Sequence, residues 1–190
     1  MKGYNATLFL IILFLIIGAW FIQVLGEILH VSISVPTETM ITSFEECAKA
    51  GNPIMESYPR QCRAGGETFV ENIGDELEKQ DLVRIAAPRP NIIINSPLVV
   101  EGEARGFWFF EATFPLVLVD WDGKIIAESY AQADGEWMTE EFVPYKGTIV
   151  FEKPIFVGDF SKRGALILKK SNASGLPEHD DALEIPVRFE

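Results

Sequence analysis

The chain of 190 residues contains few of the side chains on which most enzymes depend. It has two histidines and two cysteines, and G-x-S-x-G, H-E-x-x-H and P-loop motifs do not occur. Sixteen Lys and Arg residues against 28 Asp and Glu residues give a net charge of −12, so nucleic acid phosphates would repel the chain. We therefore expect a protein that is not an enzyme and does not bind nucleic acid.

One long apolar run lies near the N-terminus. Residues 6–25 carry no charge, and a helix of that length spans about 30 Å, the thickness of the hydrocarbon core of a bilayer. Lys2 precedes the run and Glu27 follows it, so the positive-inside rule predicts a cytoplasmic N-terminus. A cleaved signal peptide is the alternative, but its apolar core is usually shorter and ends at small residues. We assign residues 1–29 to a single-pass transmembrane signal anchor.

The two cysteines, Cys47 and Cys62, follow the anchor in the part of the chain predicted to lie outside the cytoplasm. Disulfides persist there, so we expect the two to be bonded, which would stabilise a small segment by about 3 kcal/mol. Two free thiols are the alternative. Ser43 as N-cap and Gly51 as terminator predict a short helix between residues 43 and 51. We assign residues 30–70 to this two-cysteine segment.

The stretch SFEECAKAGNPIMESYPRQCRAGGETF resembles a small two-cysteine motif that recurs in bacterial envelope proteins. Its spacing is also similar to that of disulfide-bonded protease-inhibitor modules, although those modules depend on several disulfides. The next residues, 71–90, are rich in charge and end in two closely spaced prolines. We assign them to a charged linker.

From residue 91 onward, short apolar segments alternate with turn residues at the spacing typical of a β-sandwich. Asp122-Gly123 predicts a hairpin turn, and Lys146-Gly147 predicts another. The alternation along residues 110–119 places Phe110, Ala112 and Phe114 on the core face of one strand. The predicted strands are 91–94, 98–104, 110–119, 124–131, 141–145, 148–152, 165–170 and 182–189.

Four stretches of this half resemble the immunoglobulin-like domain of bacterial spore germination. They read INSPLVVEGEARG, FFEATFPLVLVDWDGKIIAE, EWMTEEFVPYKGTIVFEKP and GALILKKSNASGLPEHDDALEIPVRF. The resemblance implies an all-β, immunoglobulin-like β-sandwich over residues 91–190, on the outer side of a bacterial cell membrane. It implies no chemistry. Since the domain has no cysteine, its aromatic residues must replace the inter-sheet disulfide of antibody domains.

Aromatic side chains are the first candidate site. Trp108, Trp121, Trp137 and Tyr145 are predicted binding residues, because exposed Trp and Tyr are typical of contact surfaces for proteins or glycans. Packing in the core or against the two-cysteine segment is the alternative. In a regular strand, successive residues of the run 107–110 would point to opposite faces, so some of its aromatic rings would lie outside the core.

Acidic side chains are the second candidate site. Asp120, Asp122 and Asp180 offer the oxygen ligands that calcium prefers, and we predict at most a weak calcium site and no other cofactor. The sequence DWDGK begins like a calcium-binding loop, but Lys124 and Ile125 occupy later ligand positions, which favours a simple hairpin turn. A hydrolase that uses carboxylates of this kind, such as Asp120 with Asp122, is the alternative.

Together these features predict a membrane-anchored, non-catalytic binding or scaffolding protein of the bacterial cell envelope. Its partners would be the membrane, through residues 6–25, and an envelope protein or wall component. Two other functions remain open. One is a carboxylate- or metal-dependent envelope hydrolase, and the other is a protease-inhibitor-like role of the two-cysteine segment.

Overall fold

The computed structural model describes residues 40–190, and the predicted transmembrane helix over residues 6–25 lies outside that range. Among the helices that it does describe, none has the length and hydropathy needed to cross a membrane. Residues 41–190 form one structural unit. Within it, the two-cysteine segment leads directly into a β-sandwich.

The two-cysteine segment is a short helix against a small sheet. The three strands of this sheet are antiparallel and lie side by side in chain order. Ser43 caps the helix as predicted, since its hydroxyl accepts a hydrogen bond from the amide of Glu46 at 3.2 Å. The predicted disulfide between Cys47 and Cys62 is present and joins the helix to the second strand. The elements are α1 (Phe44–Lys49), β1 (Ile54–Met55), β2 (Gln61–Ala64) and β3 (Glu67–Val70).

A short helix and seven antiparallel strands make up the rest. The elements are α2 (Glu76–Lys79), β4 (Val83–Ala87), β5 (Leu98–Arg105), β6 (Thr113–Asp120), β7 (Ile125–Ala133), β8 (Phe142–Ile149), β9 (Arg163–Lys169) and β10 (Ala182–Arg188). The strand order in the sheet is β10-β9-β6-β7-β8-β5-β4.

The seven strands curve around one core. β7 pairs with β6 along most of its length but with β8 only at residues 131–133. The sheet therefore divides there into a four-stranded layer, β10-β9-β6-β7, and a three-stranded layer, β8-β5-β4. Residues from both outermost strands share the same core, so the fold is a β-sandwich with barrel-like curvature. Every strand contributes to that core: Val83, Ile85, Val100, Ala104, Phe114, Leu116, Leu118, Ala131, Val143, Tyr145, Ile149, Leu166, Leu168, Leu183, Ile185 and Val187.

The predicted charged linker over residues 71–90 is not a linker throughout. Residues 83–87 form β4, which pairs with β5 and buries Val83 and Ile85 in the core. Glu71 is itself buried. The sandwich therefore begins before residue 91. Val83, Arg84 and Ile85 alternate between apolar and polar as in a strand, but this short pattern lies within a stretch of charged residues, which favoured a linker.

The predicted turn at Lys146-Gly147 is also wrong, because β8 runs straight through it as one strand. Gly147 is needed there for packing. A Cβ atom at this position would lie 2.6 Å from the side chain of Leu116 and 2.8 Å from the carbonyl oxygen of Tyr130. The glycine lets the two layers approach each other closely where β7 joins them. By contrast, Asp122-Gly123 forms the predicted turn, with φ of +77° at Gly123.

The strand predicted over residues 110–119 begins later, at Thr113. Glu111 and Ala112 have positive φ values, which end the alternation between Phe110 and Phe114. Phe114 is fully buried, as predicted, whereas Phe110 is exposed. The strand predicted over residues 91–94 reduces to a single bridge between Ile93 and Arg188, although its backbone still bonds to β10.

Candidate interaction surface

The four aromatic residues predicted to bind a partner lie in different environments. Trp108 and Tyr145 are buried in the core, so packing accounts for both. Trp137 is partly buried against that core. Trp121 is 48% exposed and stacks edge-on against Phe160, with ring centroids 5.1 Å apart. The structure therefore does not bring the four residues together into one surface.

The aromatic run over residues 107–110 is not a strand. Residues 106–108 form a 3₁₀ turn, which breaks the alternation expected of extended chain. As a result, the adjacent side chains of Trp108 and Phe109 are both buried, while Phe107 and Phe110 on either side are 50% and 47% exposed. Two side chains of the run therefore pack in the core, and the other two lie on the surface.

Three loops lie together at one end of the sandwich. They are residues 106–112, 134–141 and 170–181, and we call this end the three-loop end. The strand register places the three loops at this end, because Arg105 opposes Phe142 and Ala182 opposes Lys169. These connections meet at the same end because the flanking strands are antiparallel neighbours.

Specific contacts hold the three loops against one another. The amide of Gly106 donates a hydrogen bond to the carbonyl of Glu141 at 3.1 Å, and a Cβ atom on Gly106 would lie 1.9 Å from the carbonyl oxygen of Thr139. On the other side, the amide of Ser171 donates to the carbonyl of Trp108 at 2.9 Å. The Ser171 hydroxyl also donates to the carbonyl of Thr113 at 2.8 Å. The first loop is therefore fixed on both sides.

Four large apolar side chains are exposed on this fixed frame. Phe107 and Phe110 belong to the first loop, Met138 to the second and Leu176 to the third, and all four are exposed. Lys170 lies over the ring of Phe107, with its ammonium 5.8 Å from the ring centroid. Aromatic rings and methionine on a rigid frame are typical of protein contact surfaces.

The turn that carries Phe110 is strained. Phe110 and Thr113 exchange two backbone hydrogen bonds of 3.0 and 3.1 Å, and the two residues between them, Glu111 and Ala112, have φ values of 52° and 60°. A two-residue hairpin turn with positive φ at both positions is usually occupied by Asn-Gly or Asp-Gly. Non-glycine residues in this region cost about 1–2 kcal/mol each. Such strain is concentrated at functional sites in proteins.

The aspartates predicted to bind calcium do not form one site. Asp120 and Asp122 lie in the turn after β6, where one carboxylate oxygen of Asp120 accepts from the amides of Asp122 and Lys124 at 3.0 and 2.9 Å. Asp180 lies at the three-loop end, whereas this turn lies at the other end of β6. Over residues 40–190, no three His, Cys, Asp or Glu side chains converge as metal ligands would. The Asp120 carboxylate stabilises the hairpin turn.

The opposite end of the sandwich carries the two-cysteine segment. Arg60 of that segment donates two hydrogen bonds to the buried carboxylate of Glu71, at 2.8 and 2.6 Å. Asn91 of the sandwich donates to the same carboxylate at 3.1 Å. These bonds, above all those from Arg60, lower the pKa of Glu71. Glu71 therefore connects the two-cysteine segment to the sandwich.

A cleft of about 890 Å³ separates α1 from the outer face of β9 and β10. Phe44 and Lys49 border it on one side, and Arg163 and Arg188 border it on the other. Its volume is within the range of small-molecule sites. The sequence did not predict this cleft, because it arises between segments far apart in the chain.

Comparison with known proteins supports the fold. Residues 82–161 match the immunoglobulin-like domain of bacterial spore germination. The match begins one residue before β4, which agrees with the early start of the sandwich in the structure. It ends before β9 and β10, which complete the core here. No curated protein and no solved structure matches the chain significantly.

The sequence did not identify Phe107 and Phe110 as candidate binding residues on the surface. The pattern placed Phe110 in the core, because it continues the alternation of Phe114 and Leu116. The 3₁₀ turn before Phe110 and the strained turn after it place the Phe110 side chain on the surface instead. The sequence held one signal, namely that four consecutive aromatic residues cannot all enter the same core from one strand.

Proposed function

We propose that this chain is a membrane-anchored, extracytoplasmic binding protein of the bacterial envelope, which holds a partner protein on its three-loop end. The observation that carries the proposal is the pair of exposed rings, Phe107 and Phe110, presented by a loop that is fixed on both sides and strained at Glu111 and Ala112. A rigid aromatic pair loses little side-chain entropy on binding, so it is suited to anchor an interface.

Anchoring in the membrane is part of the proposal. The uncharged run over residues 6–25 has the length of a transmembrane helix, and the Cys47–Cys62 disulfide fits an oxidising compartment. In this arrangement the domain match at residues 82–161 lies outside the cytoplasm. External protease added to cells without their wall should therefore remove the sandwich and leave a membrane-bound fragment. Protection of the sandwich from protease would contradict this topology.

Site-specific photo-crosslinking in living cells tests the binding surface. A photoreactive amino acid replaces Phe107 or Phe110 in the full chain, and Tyr130, which is 65% exposed on β7, serves as the matched control position. We expect a discrete crosslinked protein from positions 107 and 110 that is absent from position 130. The substitution Met138→Ser should reduce its yield, since Met138 is 74% exposed on the same end.

Three results would overturn the choice of partner or surface. An adduct that muramidase digestion removes would identify a wall glycan in place of a protein. Equal crosslinking from all three positions, or none from positions 107 and 110, would show that the three-loop end is not the binding surface. The alternative hydrolase has less support, because Asp120 already bonds to the amides of its own turn.

A further inference from the structure

Two arginines face each other across neighbouring strands in the cleft between α1 and the sandwich. Arg163 begins β9 and Arg188 ends β10, and the two are directly opposed in the register of the antiparallel pair. Directly opposed residues have Cβ atoms about 4.5–5.5 Å apart, and like charges in such pairs destabilise a sheet. Both side chains border the cleft. The strand pair therefore brings two positive charges together at a cost in stability.

No acidic side chain among residues 40–190 forms an ion pair with either of these two arginines. All seven arginines of the chain lie in that range. Four of them form ion pairs with carboxylates, and a fifth, Arg63, donates to the hydroxyl of Thr68. Arg163 and Arg188 have neither an ion pair nor a side-chain hydrogen bond to any other described residue. Two arginines on adjacent strands therefore remain unpaired among the described residues, in a chain with twelve excess negative charges.

Five basic and five acidic residues border the cleft. Lys49, at the end of α1, is the third basic residue of the border without an ion pair, and it lies on the side opposite the two arginines. Ile54 and Ile93 supply apolar surface to the same cleft, and both are exposed. The acidic residues that border it include Glu46, whose carboxylate is already bonded to Thr42, and Asp159, which is paired with Lys162 at 3.4 Å. Glu45 and Glu190 complete the acidic residues of the border beside Glu71.

We propose that this cleft binds a phosphate ester, with Arg163 and Arg188 as its two anchoring side chains. Each planar guanidinium donates two parallel hydrogen bonds to phosphate oxygens, and two such groups on adjacent strands converge on one tetrahedral anion. The bound phosphate would also relieve the repulsion between the arginines. This site lies at the end of the sandwich opposite the three-loop end, so it is independent of the partner surface proposed above.

The ester could be a free metabolite or a lipid headgroup, and one titration distinguishes the two. The full chain, in neutral detergent micelles, is titrated with sn-glycerol 3-phosphate by calorimetry, first without and then with phosphatidylglycerol in the micelles. We expect saturable binding. A lower apparent affinity in the presence of phosphatidylglycerol would identify the headgroup as the natural ligand, and an unchanged affinity would identify a soluble ester.

Matched variants make the test specific. Arg163→Gln combined with Arg188→Gln should weaken binding at least tenfold, whereas Arg63→Gln, which removes one positive charge from the exposed side of β2, should change it less than twofold. The double variant should also unfold at a higher temperature than the wild type in phosphate-free buffer, because the repulsion is gone. This second measurement shows that the variant is folded.

Three results would overturn the proposal. The first is the absence of saturable binding of glycerol 3-phosphate, and the second is an equal loss of affinity in Arg63→Gln. The third is binding of succinate as tight as that of glycerol 3-phosphate, since a general preference for anions is not a phosphate site. Substitution of Phe107 should leave the titration unchanged, so this outcome and that of the crosslinking experiment are separable.

Discussion

The hydroxyl of Tyr145 donates a hydrogen bond of 3.0 Å to the carbonyl of Arg84, from β8 to β4 across the intervening strand β5. Gly102 of β5 makes this possible. A Cβ atom there would lie 2.1 Å from the Arg84 carbonyl oxygen and 2.7 Å from the Tyr145 hydroxyl. Burial raises the pKa of Tyr145, so the hydroxyl keeps its proton. This bond ties the edge strand β4 to the three-stranded layer.

Tyr145→Phe should therefore destabilise the sandwich without affecting any partner. The ring still fills the core, but the Arg84 carbonyl loses its donor, which costs about 1–2 kcal/mol. Urea unfolding of the full chain measures the change. Tyr130→Phe is the control, since that side chain is exposed on β7 and should change the free energy of unfolding by less than about 0.5 kcal/mol. Equal effects of the two substitutions would refute the assigned role.

Loss of the disulfide should act locally. Cys47 and Cys62 are fully buried and form a cluster with Phe44 that is separate from the core of the sandwich. Cys47→Ser combined with Cys62→Ser should destabilise residues 44–70 by about 3 kcal/mol, as expected for a loop of this length. Hydrogen exchange read by mass spectrometry should show faster exchange there and little change in β6 and β9. A uniform increase across the chain would show that the two parts unfold together.

Acid should weaken the attachment of the two-cysteine segment through Glu71. Its pKa is lowered from the ordinary value of 4.5, chiefly by hydrogen bonds from Arg60. The unfolded chain therefore binds this proton more readily than the folded chain does. The stabilisation is fully present above pH 4.5 and is lost as pH falls through the lower, folded pKa.

Glu71→Gln should accordingly lower stability at pH 7 by about 1–3 kcal/mol, since Arg60 loses a charged partner. The difference from the wild type should shrink as the pH falls below 4.5, because the wild-type carboxylate then becomes protonated. Thermal unfolding across this pH range provides the measurement. Glu67→Gln, on the exposed side of β3, removes the same charge as a control. If the difference in stability between Glu71→Gln and the wild type stays constant with pH, the hydrogen bonds from Arg60 do not set the pKa of Glu71.

Local patterns in the sequence predicted the local structure well. The cap at Ser43, the turn at Asp122-Gly123 and the buried alternation from Phe114 to Leu118 depend on neighbouring residues, and the structure confirms all three. β4 was missed because its pairing partner, β5, lies beyond a proline-containing loop, and five residues inside a charged stretch give a weak pattern. Gly147 was misread because close packing and turns both require glycine.

The candidate surfaces could be predicted only in part. The sequence marked the aromatic run, but which of Trp108 and Phe110 faces solvent depends on contacts with loops distant in the chain. The opposition of Arg163 and Arg188 requires the register of β9 and β10, which the loop over residues 170–181 between them leaves undefined in the sequence. Both sites depend on tertiary placement more than on residue type.

The strained turn beside Phe110 should yield a more stable protein when it is relieved. Asn-Gly is favoured where φ is positive at both central positions, so Glu111→Asn combined with Ala112→Gly should raise the free energy of unfolding by about 1–2 kcal/mol. The reverse change, Gly123→Ala at φ of +77°, should lower it by about 1 kcal/mol. Chemical denaturation of both variants measures these shifts. If the proposed surface is correct, the stabilised variant keeps Phe107 and Phe110 in place and retains the crosslinked partner. Loss of that partner would instead show that Glu111 or Ala112 contacts it directly, and a failure to stabilise would show that the turn carries no strain.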